Sequence, residues 1–169
     1  MRLFVAVWPS DDVVASLAAI ERPNVRGLRW TARQQWHVTL RFLGNVAVDQ
    51  VDAVVAALDS VEVGGPVVAV LGPATARFAQ RVLHVPVAGL EAVAASVVAA
   101  TAALGDPPED RPFAGHITLA RVRPRSRIDL RTLCGVPLAG EWPVRQLTLV
   151  SSVPNPSGAR YEVIASRNL

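Results

Sequence analysis

The chain is poor in several residue types that carry chemistry in proteins. Its 169 residues include no lysine, one cysteine and three histidines, so all 17 strongly basic side chains are arginines. The single thiol, Cys134, excludes an internal disulfide and a thiolate metal cage. It lies at the end of a predicted helix, which favours a buried, inert cysteine over a nucleophile. The net charge of +3 rests on arginine, a side chain suited to binding phosphate, so an anionic ligand remains open.

Long apolar runs are also missing, although 51% of the residues are hydrophobic. Charged residues interrupt every apolar stretch well before the length of about 20 residues that spans a bilayer. The first apolar run ends at Trp8-Pro9, too short for a signal peptide, and we interpret residues 2–8 as a strand. We therefore expect one domain over residues 1–169, without a membrane segment, in the cytoplasm. No strong association stripe is present, so we expect a monomer.

Strand and helix patterns alternate twice along the chain, which predicts an α+β fold. Hairpin-like strand pairs near 67–87 and 144–166 favour antiparallel sheets. We expect two pseudo-symmetric lobes, each with an antiparallel sheet and flanking helices, and a cleft between them. The predicted helices are 11–20, 49–58, 90–104 and 126–134. The predicted strands are 2–8, 36–43, 67–70, 77–87, 115–122, 144–151 and 161–166.

Two of the three histidines begin nearly identical tetrapeptides, His37-Val38-Thr39-Leu40 and His116-Ile117-Thr118-Leu119. Side chains two residues apart on a strand point to the same face, so each histidine shares a face with its threonine. The apolar residue between them faces the other way and anchors the strand. If a pseudo-twofold axis relates the lobes, two imidazoles and two hydroxyls meet around one point.

This arrangement predicts acid–base chemistry on a phosphodiester. One neutral imidazole activates water while the other, protonated, donates to the leaving oxygen. The threonine hydroxyls donate hydrogen bonds to the non-bridging oxygens. A cyclic phosphodiester suits such a site because ring strain lowers its barrier. Two histidines without a nearby Asp, Glu or Cys make a poor zinc set, so we expect no metal and no cofactor.

At these motifs the chain resembles the two-histidine phosphoesterase superfamily. Within it, the chain is most similar to the RNA 2′,3′-cyclic phosphodiesterases, also called 2′-5′ RNA ligases, of bacteria and archaea. Trp36 and Gly115, which precede the two histidines, depart from the smaller aliphatic residue and the proline more usual there. The matching stretches are RLFVAV at 2–7, HVTLRFLG at 37–44, RPFAGHITLAR at 111–121 and PSGARYEV at 156–163.

The resemblance implies roles for the four motif residues. His37 would be the general acid, His116 the general base, and Thr39 and Thr118 would hold the phosphate. The implied reaction opens a 2′,3′-cyclic phosphate at an RNA end to a 2′-phosphomonoester. The ligase name implies that RNA ends are also joined through a 2′-5′ bond, and tRNA fragments are one class of RNA partner.

Four further residues are candidate substrate ligands. Regular alternation puts Arg41 on the face of His37. It puts Arg121 opposite His116 unless a bulge or the strand end redirects it, and the resemblance favours Arg121 as the basic ligand. Phe113, near the cleft edge, and Tyr161, after the loop at 154–158, are candidates to contact the nucleotide. We interpret Phe42 as a core residue and His84, which has no threonine two residues on, as structural.

Two other functions remain open from the sequence. A non-catalytic RNA-binding module on the same fold would tolerate loss of the histidines. A phosphodiesterase for another substrate, such as ADP-ribose cyclic phosphate or a cyclic oligonucleotide, would keep the same catalytic residues.

Overall fold

The computed structural model of the protein describes residues 1–155 and 159–169. Within them the chain forms ten strands, three α-helices and three short 3-10 segments. The strands are β1 (Arg2–Val7), β2 (Leu28–Trp30), β3 (Val38–Asn45), β4 (Val67–Leu71), β5 (Ala76–Phe78), β6 (Val82–Ala88), β7 (His116–Val122), β8 (Gly140–Val144), β9 (Gln146–Val153) and β10 (Arg160–Asn168). The helices are α1 (Asp11–Ala18), α2 (Val51–Asp59) and α3 (Glu91–Ala100), with 3-10 segments at Arg33–Gln35, Val48–Gln50 and Leu130–Leu133.

The strands pair in the order β10-β9-β1-β3-β7-β6-β4-β8, with β2 beside β7 and β5 beside β6. Every pair between these strands is antiparallel. The predicted α+β fold with antiparallel sheets is confirmed. The centre of the order is narrow, because β3 and β7 are joined through the pair Val38 and Ile117.

This junction divides the eight strands of the pairing order into two groups of four. We call β10, β9, β1 and β3 the His37 half, and β7, β6, β4 and β8 the His116 half. The halves do not follow the chain in order, since β9 and β10 return from the C-terminal part to pair with β1. The His37 half therefore needs residues from both ends of the sequence, whereas the His116 half is built from strands between Val67 and Val144.

The helices cover the apolar faces of the strands. Acidic Asp11 and Asp12 occupy the first turn of α1, where the helix dipole favours negative charge. α1 contacts β8, and α3 contacts β3. Each helix buries one apolar stripe, and the inward residues are Val13 and Leu17 of α1, Val54 and Leu58 of α2, and Val93, Ala94 and Val97 of α3.

Several predicted boundaries were wrong for local reasons. The helix predicted at 90–104 ends at Ala100, and the Thr101 hydroxyl donates to the Val97 carbonyl at 2.6 Å. The helix predicted at 126–134 is a short 3-10 segment, capped by the Asp129 side chain. Of the loop predicted at 154–158, residues 156–158 lie outside the described residues. None of the helices in the described part of the chain is long and apolar enough to cross a membrane.

Candidate active site

The two histidine motifs lie side by side at the centre of the sheet. The antiparallel pair of Val38 with Ile117 joins the second residue of one motif to the second residue of the other. Continuing this register places His37 opposite Thr118 and Thr39 opposite His116. The local twofold relation that the sequence suggested therefore passes through this pair of residues.

The four polar side chains open onto one cleft with a volume of about 290 Å³. The apolar residues between them, Val38 and Ile117, are fully buried beneath it. The cleft is lined by Arg2, Phe4, Arg29, Thr31, Gln35, His37, Thr39, Phe42, His116, Thr118, Arg121, Ser152, Ala159 and Tyr161.

Each motif strand carries a β-bulge at the leucine of the motif. Against β1, the partner of Ala6 is Thr39 and the partner of Val5 is Arg41, so Leu40 is the extra residue. Against β6, the register likewise skips Leu119. A bulge shifts the alternation by one residue, so side chains beyond it change faces.

The bulge at Leu40 corrects two predictions. Arg41 does not face the cleft: it is 5% exposed, and its guanidinium donates to the carbonyls of Val98, Leu104 and Asp106 at 3.0–3.1 Å. Phe42, predicted to pack in the core, is 38% exposed and lines the cleft. Regular alternation predicted the opposite face of the strand for both residues, because it assumes that no extra residue interrupts the strand.

The bulge at Leu119 acts in the same way on the other strand. It turns Arg121 onto the face of His116, and Arg121 lines the cleft. Tyr161 also lines the cleft, with its ring edge-on to that of His37 at 5.1 Å between centroids. Phe113 does not line it, and instead packs partly buried against the main core. The structure thus brings Arg121 and Tyr161 to the motifs and leaves Arg41 and Phe113 outside.

The backbone sets the orientation of the His37 ring. Its Nδ1–H donates to the carbonyl of Gln35 at 2.7 Å, which leaves Nε2 without the proton when the ring is neutral. Nε2 then accepts from the Thr39 hydroxyl at 3.1 Å. Three aromatic rings pack around the imidazole: Phe4 stacks on it at 4.8 Å, Trp8 is tilted at 5.5 Å, and Tyr161 meets it edge-on.

The backbone fixes His116 by the same contact. Its Nδ1–H donates to the carbonyl of Ala114 at 2.7 Å, again two residues upstream. Its ring neighbours differ: Phe78 meets it edge-on at 4.8 Å and the third histidine, His84, at 5.3 Å. In both motifs the backbone therefore holds Nδ1 and leaves Nε2 as the other ring nitrogen, which in His37 contacts the Thr39 hydroxyl.

The sequence matches a known family model, the LigT-like phosphoesterases, over residues 7–72. Over its full length, the chain is 31% identical to TT0787 of Thermus thermophilus. The two structures superimpose with a TM-score of 0.84 over 100% of this chain and 98% of that one. The chain belongs to the LigT-like phosphoesterase family. It is a member of the two-histidine phosphoesterase superfamily, as the paired motifs indicated.

Two more distant structures share the fold of this LigT-like phosphoesterase. E. coli LigT complexed with 3′-AMP is 24% identical, with a TM-score of 0.79 over 99% of this chain and 97% of that one. The PDE domain of MHV ns2 is 16% identical, with a TM-score of 0.54 over 97% and 100% of the two chains. A search of curated protein sequences found no match.

Burial makes both motif histidines of the phosphoesterase less basic. It lowers the pKa of His37 from 6.5 to about 4, an effect that His116 and Arg121 reinforce by charge repulsion. Burial also lowers the pKa of His116, with Arg121 and Arg111 acting in the same direction. The Gln35 and Ala114 carbonyls oppose these shifts by accepting from the rings. In the protein alone, both imidazoles are therefore neutral at neutral pH.

Trp36 and Gly115, the residues before the two histidines, are both explained by their local contacts. Trp36 is 2% exposed, and its indole N–H donates to the Thr31 hydroxyl at 3.0 Å. That hydroxyl donates in turn to the carbonyl of Thr118 at 2.7 Å, so Trp36 ties one motif to the other. At Gly115 a Cβ would lie 2.3 Å from the Val87 carbonyl oxygen, so the approach of β6 requires glycine.

Several cleft residues escaped the sequence reasoning. Arg2 and Arg29 come from short or terminal strand segments, and Ser152 and Ala159 from a hairpin that folds back from the C-terminal end. One signal was present for Arg2, which begins the family-like stretch at 2–7 and alternates with Phe4. No sequence signal pointed to Arg29, because β2 is only three residues long and its partner strand β7 lies far along the chain.

Proposed function

We propose that this phosphoesterase opens 2′,3′-cyclic phosphates at RNA ends to 2′-phosphomonoesters by acid–base catalysis with His37 and His116. The observation that carries the proposal is the matched pair of imidazoles. Each has Nδ1–H tied to a carbonyl two residues upstream, which leaves Nε2 as the nitrogen available for proton transfer. In the protein alone, Nε2 of His37 accepts from the Thr39 hydroxyl. In-line displacement at phosphorus needs one proton acceptor and one proton donor on opposite sides of the phosphate, and this pair supplies both.

In the proposed step, Nε2 of neutral His116 takes a proton from water while the water oxygen attacks phosphorus. The bond from phosphorus to the 3′-oxygen breaks, and Nε2 of protonated His37 gives its proton to that oxygen. The product carries a 2′-phosphate and a free 3′-hydroxyl. Proton exchange with solvent then returns His116 to neutral and His37 to its protonated form.

The bound phosphate itself supplies the charge that His37 needs. In the protein alone, burial and positive neighbours hold the pKa of His37 at about 4, so the ring is neutral. An anion between the two motifs raises the pKa of both imidazoles, because an opposite charge close by favours the protonated form. The Thr39 hydroxyl, which donates to the neutral His37 ring, is free to donate to a phosphoryl oxygen once that ring is protonated.

The charge of the cleft supports an anionic substrate. Arg2, Arg29 and Arg121 line it, and no Asp or Glu does so among residues 1–155 and 159–169. Arg121 is close enough to lower the pKa of both motif histidines, which supports a role for it in binding the reacting phosphate. The related fold of E. coli LigT was solved with 3′-AMP, NADP+ and ATP, which supports a nucleotide as the bound class.

The test is hydrolysis of a short RNA ending in a 2′,3′-cyclic phosphate, in EDTA, with the product identified by mass spectrometry and by its resistance or sensitivity to a 3′-specific phosphatase. We expect a 2′-phosphate end from the wild type and neither product from His37→Ala or His116→Ala. A 3′-phosphate product would contradict the assignment of the leaving oxygen. Activity that survives in both variants would overturn the paired-histidine mechanism.

Failure of the wild type on RNA ends would redirect the search. Turnover of ADP-ribose cyclic phosphate or of a cyclic oligonucleotide would then identify another phosphodiester as substrate. Metal independence, an RNA partner, the monomeric state and the cytoplasmic location all stay predictions. Ligation through a 2′-5′ bond is tested in the same assay by adding an RNA with a free 5′-hydroxyl.

A further inference from the structure

The cleft contains more positive charge than one phosphate needs. Three arginines line it, Arg2 from β1, Arg29 from β2 and Arg121 from β7. Within residues 1–155 and 159–169, none of the three has a hydrogen bond or ion pair with a protein group. By contrast, the exposed Arg131 pairs with Asp129 and Arg111 pairs with Glu109. The cleft therefore holds three guanidinium groups that have no acceptor among the described protein groups.

Two of these arginines oppose each other directly. Arg29 and Arg121 are cross-strand partners in the antiparallel pair of β2 with β7, and both side chains line the cleft. Like charges opposite each other on one face of a sheet destabilise the pair. An anion between or beside them reverses that effect, since each guanidinium can then donate two hydrogen bonds to phosphate oxygens.

Arg2 extends the basic surface along the cleft. Its guanidinium lies 4.9 Å above the ring centre of Phe42, which holds the side chain over the cleft by a cation–π contact. Phe42 reaches the cleft because of the bulge at Leu40. Tyr161 lies nearby, and Arg121, Arg29 and Arg2 all act on its hydroxyl by charge. All three guanidinium groups therefore line the same cleft as this phenol.

The arginines divide into two groups by what they act on. Arg121 perturbs both motif histidines as well as Tyr161. The charges of Arg2 and Arg29 act to lower the pKa of Tyr161, but these two arginines are not among the charges that lower the pKa of either histidine. The strand positions give the same division. Arg121 lies on the motif strand β7, on the face of His116, whereas Arg29 lies one strand further out on β2 and Arg2 lies over Phe42, three residues beyond Thr39. Arg121 is thus placed for the phosphate that reacts, whereas Arg2 and Arg29 are placed for negative charge beyond it.

We propose that Arg2 and Arg29, with Tyr161, form a second phosphate subsite that takes the 5′-phosphate of the nucleotide whose cyclic phosphate reacts between the histidines. The inference rests on the proposed function and narrows its substrate. In an RNA strand this 5′-phosphate is the link to the preceding nucleotide. The enzyme therefore favours strand ends, or 5′-phosphorylated nucleotides, over a nucleoside 2′,3′-cyclic phosphate that has one phosphate.

Calorimetric binding tests the subsite without requiring turnover. The probes are adenosine 2′-phosphate and adenosine 2′,5′-bisphosphate, which differ only in the 5′-phosphate. We expect the wild type to bind the bisphosphate about tenfold more tightly, a modest value for charge-assisted contacts. Arg2→Gln and Arg29→Gln should each lower this ratio to about threefold or less. Arg29→Lys should keep part of it, because the charge remains and the fork of donors is lost.

Arg145→Gln is the matched control, since Arg145 is exposed between β8 and β9, away from the cleft lining, and the variant loses the same net charge. Its ratio should equal that of the wild type. Equal affinity of the wild type for the two probes, no binding of either, or a ratio that Arg2→Gln and Arg29→Gln leave unchanged would each overturn the inference.

Turnover of the corresponding 2′,3′-cyclic phosphates, with and without a 5′-phosphate, separates the two proposals. A preference in binding without any turnover would refute the proposed reaction and keep the subsite. Turnover without a preference for the 5′-phosphate in either assay would keep the reaction and refute the subsite.

Discussion

The two motif strands share a backbone design and differ in almost every neighbouring side chain. In β3 and β7 the sequence runs His, apolar, Thr, Leu, and both strands bulge at that leucine. Both histidines donate from Nδ1 to a carbonyl two residues upstream. What is repeated is therefore the orientation of the imidazoles, which depends on backbone geometry and on the small set of motif residues.

The residues beyond the bulges have diverged. Counting from each histidine, Arg41 corresponds to Ala120, and Phe42 corresponds to Arg121. On the strand next to each motif, Ala6 pairs with Thr39 where His84 pairs with Thr118. One half thus buries its arginine in the fold and presents a phenylalanine to the cleft, whereas the other presents the arginine.

The ring contacts of the two histidines differ in the same way. His37 is packed among Phe4, Trp8 and Tyr161, whereas His116 contacts Phe78 and His84. An acid and a base must differ in their environment although they are the same side chain. The repeat therefore supplies the shared geometry of the two histidines, and the divergence supplies their different surroundings.

Under the proposed function, the largest expected effect comes from removing either motif imidazole. His37→Ala and His116→Ala should each lower kcat by ~10²–10⁴-fold, the usual contribution of one proton transfer. The double variant should lose little more than the worse single variant, because the two groups act in one step. Steady-state rates on a cyclic-phosphate RNA measure this, and losses that multiply would show that the histidines act independently.

Arg41→Met tests the first position after the shared motif at which the two strands differ in chemistry. Its guanidinium donates to one carbonyl in the last turn of α3 and to two carbonyls beyond that helix. The variant should therefore lose about 2–4 kcal/mol of unfolding free energy. Urea unfolding gives this value. Arg121→Met, on the solvent side of the cleft, should leave the unfolding free energy nearly unchanged and reduce turnover instead. Equal destabilisation by both changes would contradict the structural role of Arg41.

Thr39→Val and Thr118→Val compare the two hydroxyls with little change of volume. Each should lower kcat by about 10–100-fold through loss of a hydrogen bond to the phosphate, somewhat less than loss of an oxyanion-hole donor. Thr39→Val should be the more damaging because Thr39 also contacts Nε2 of His37 at 3.1 Å. Thr132→Val, an exposed threonine outside the cleft, is the control and should retain wild-type turnover.

The smallest effect concerns pH and His84, the counterpart of Ala6. Burial, with the nearby His116, lowers the pKa of His84 from 6.5 to about 4. The unfolded chain therefore binds more protons than the folded one between these values, and stability falls as pH drops from 6.5 towards 4. His84→Phe should make this fall shallower while keeping a ring against Phe78, whose ring centre lies 3.9 Å from that of His84. Thermal unfolding at pH 7, 5.5 and 4.5 measures it, and an unchanged slope would contradict the assignment.

Much of the fold and of the reacting centre could be predicted from sequence. Alternation around each motif put His37 with Thr39 and His116 with Thr118, and the structure brings all four to one cleft. The same alternation failed immediately after the motif, at Arg41 and Phe42. A bulge adds one residue without changing the hydrophobic pattern in a recognisable way, because Leu40 and Leu119 are apolar and buried like Val38 and Ile117 two positions before them.

Cleft residues on strands that are distant in sequence could not be predicted, for a different reason. Arg29 enters the cleft because the three-residue strand β2 pairs with β7, about 90 positions further along the chain. Tyr161 was found through its family-like stretch, whereas Phe113 was placed wrongly because it packs against the core at the same end of the sheet.

By itself, the sequence determined the pair of histidine motifs, the antiparallel α+β class and the positive, arginine-only character of the chain. These follow from local periodicity and composition, which neighbouring residues set among themselves. Only the tertiary structure decided which face each residue beyond the bulges takes, which arginines share the cleft, and which rings surround each histidine. Those outcomes depend on strand register and on pairing between distant segments, and register changes by one residue reverse a side chain's face without altering the local sequence signal.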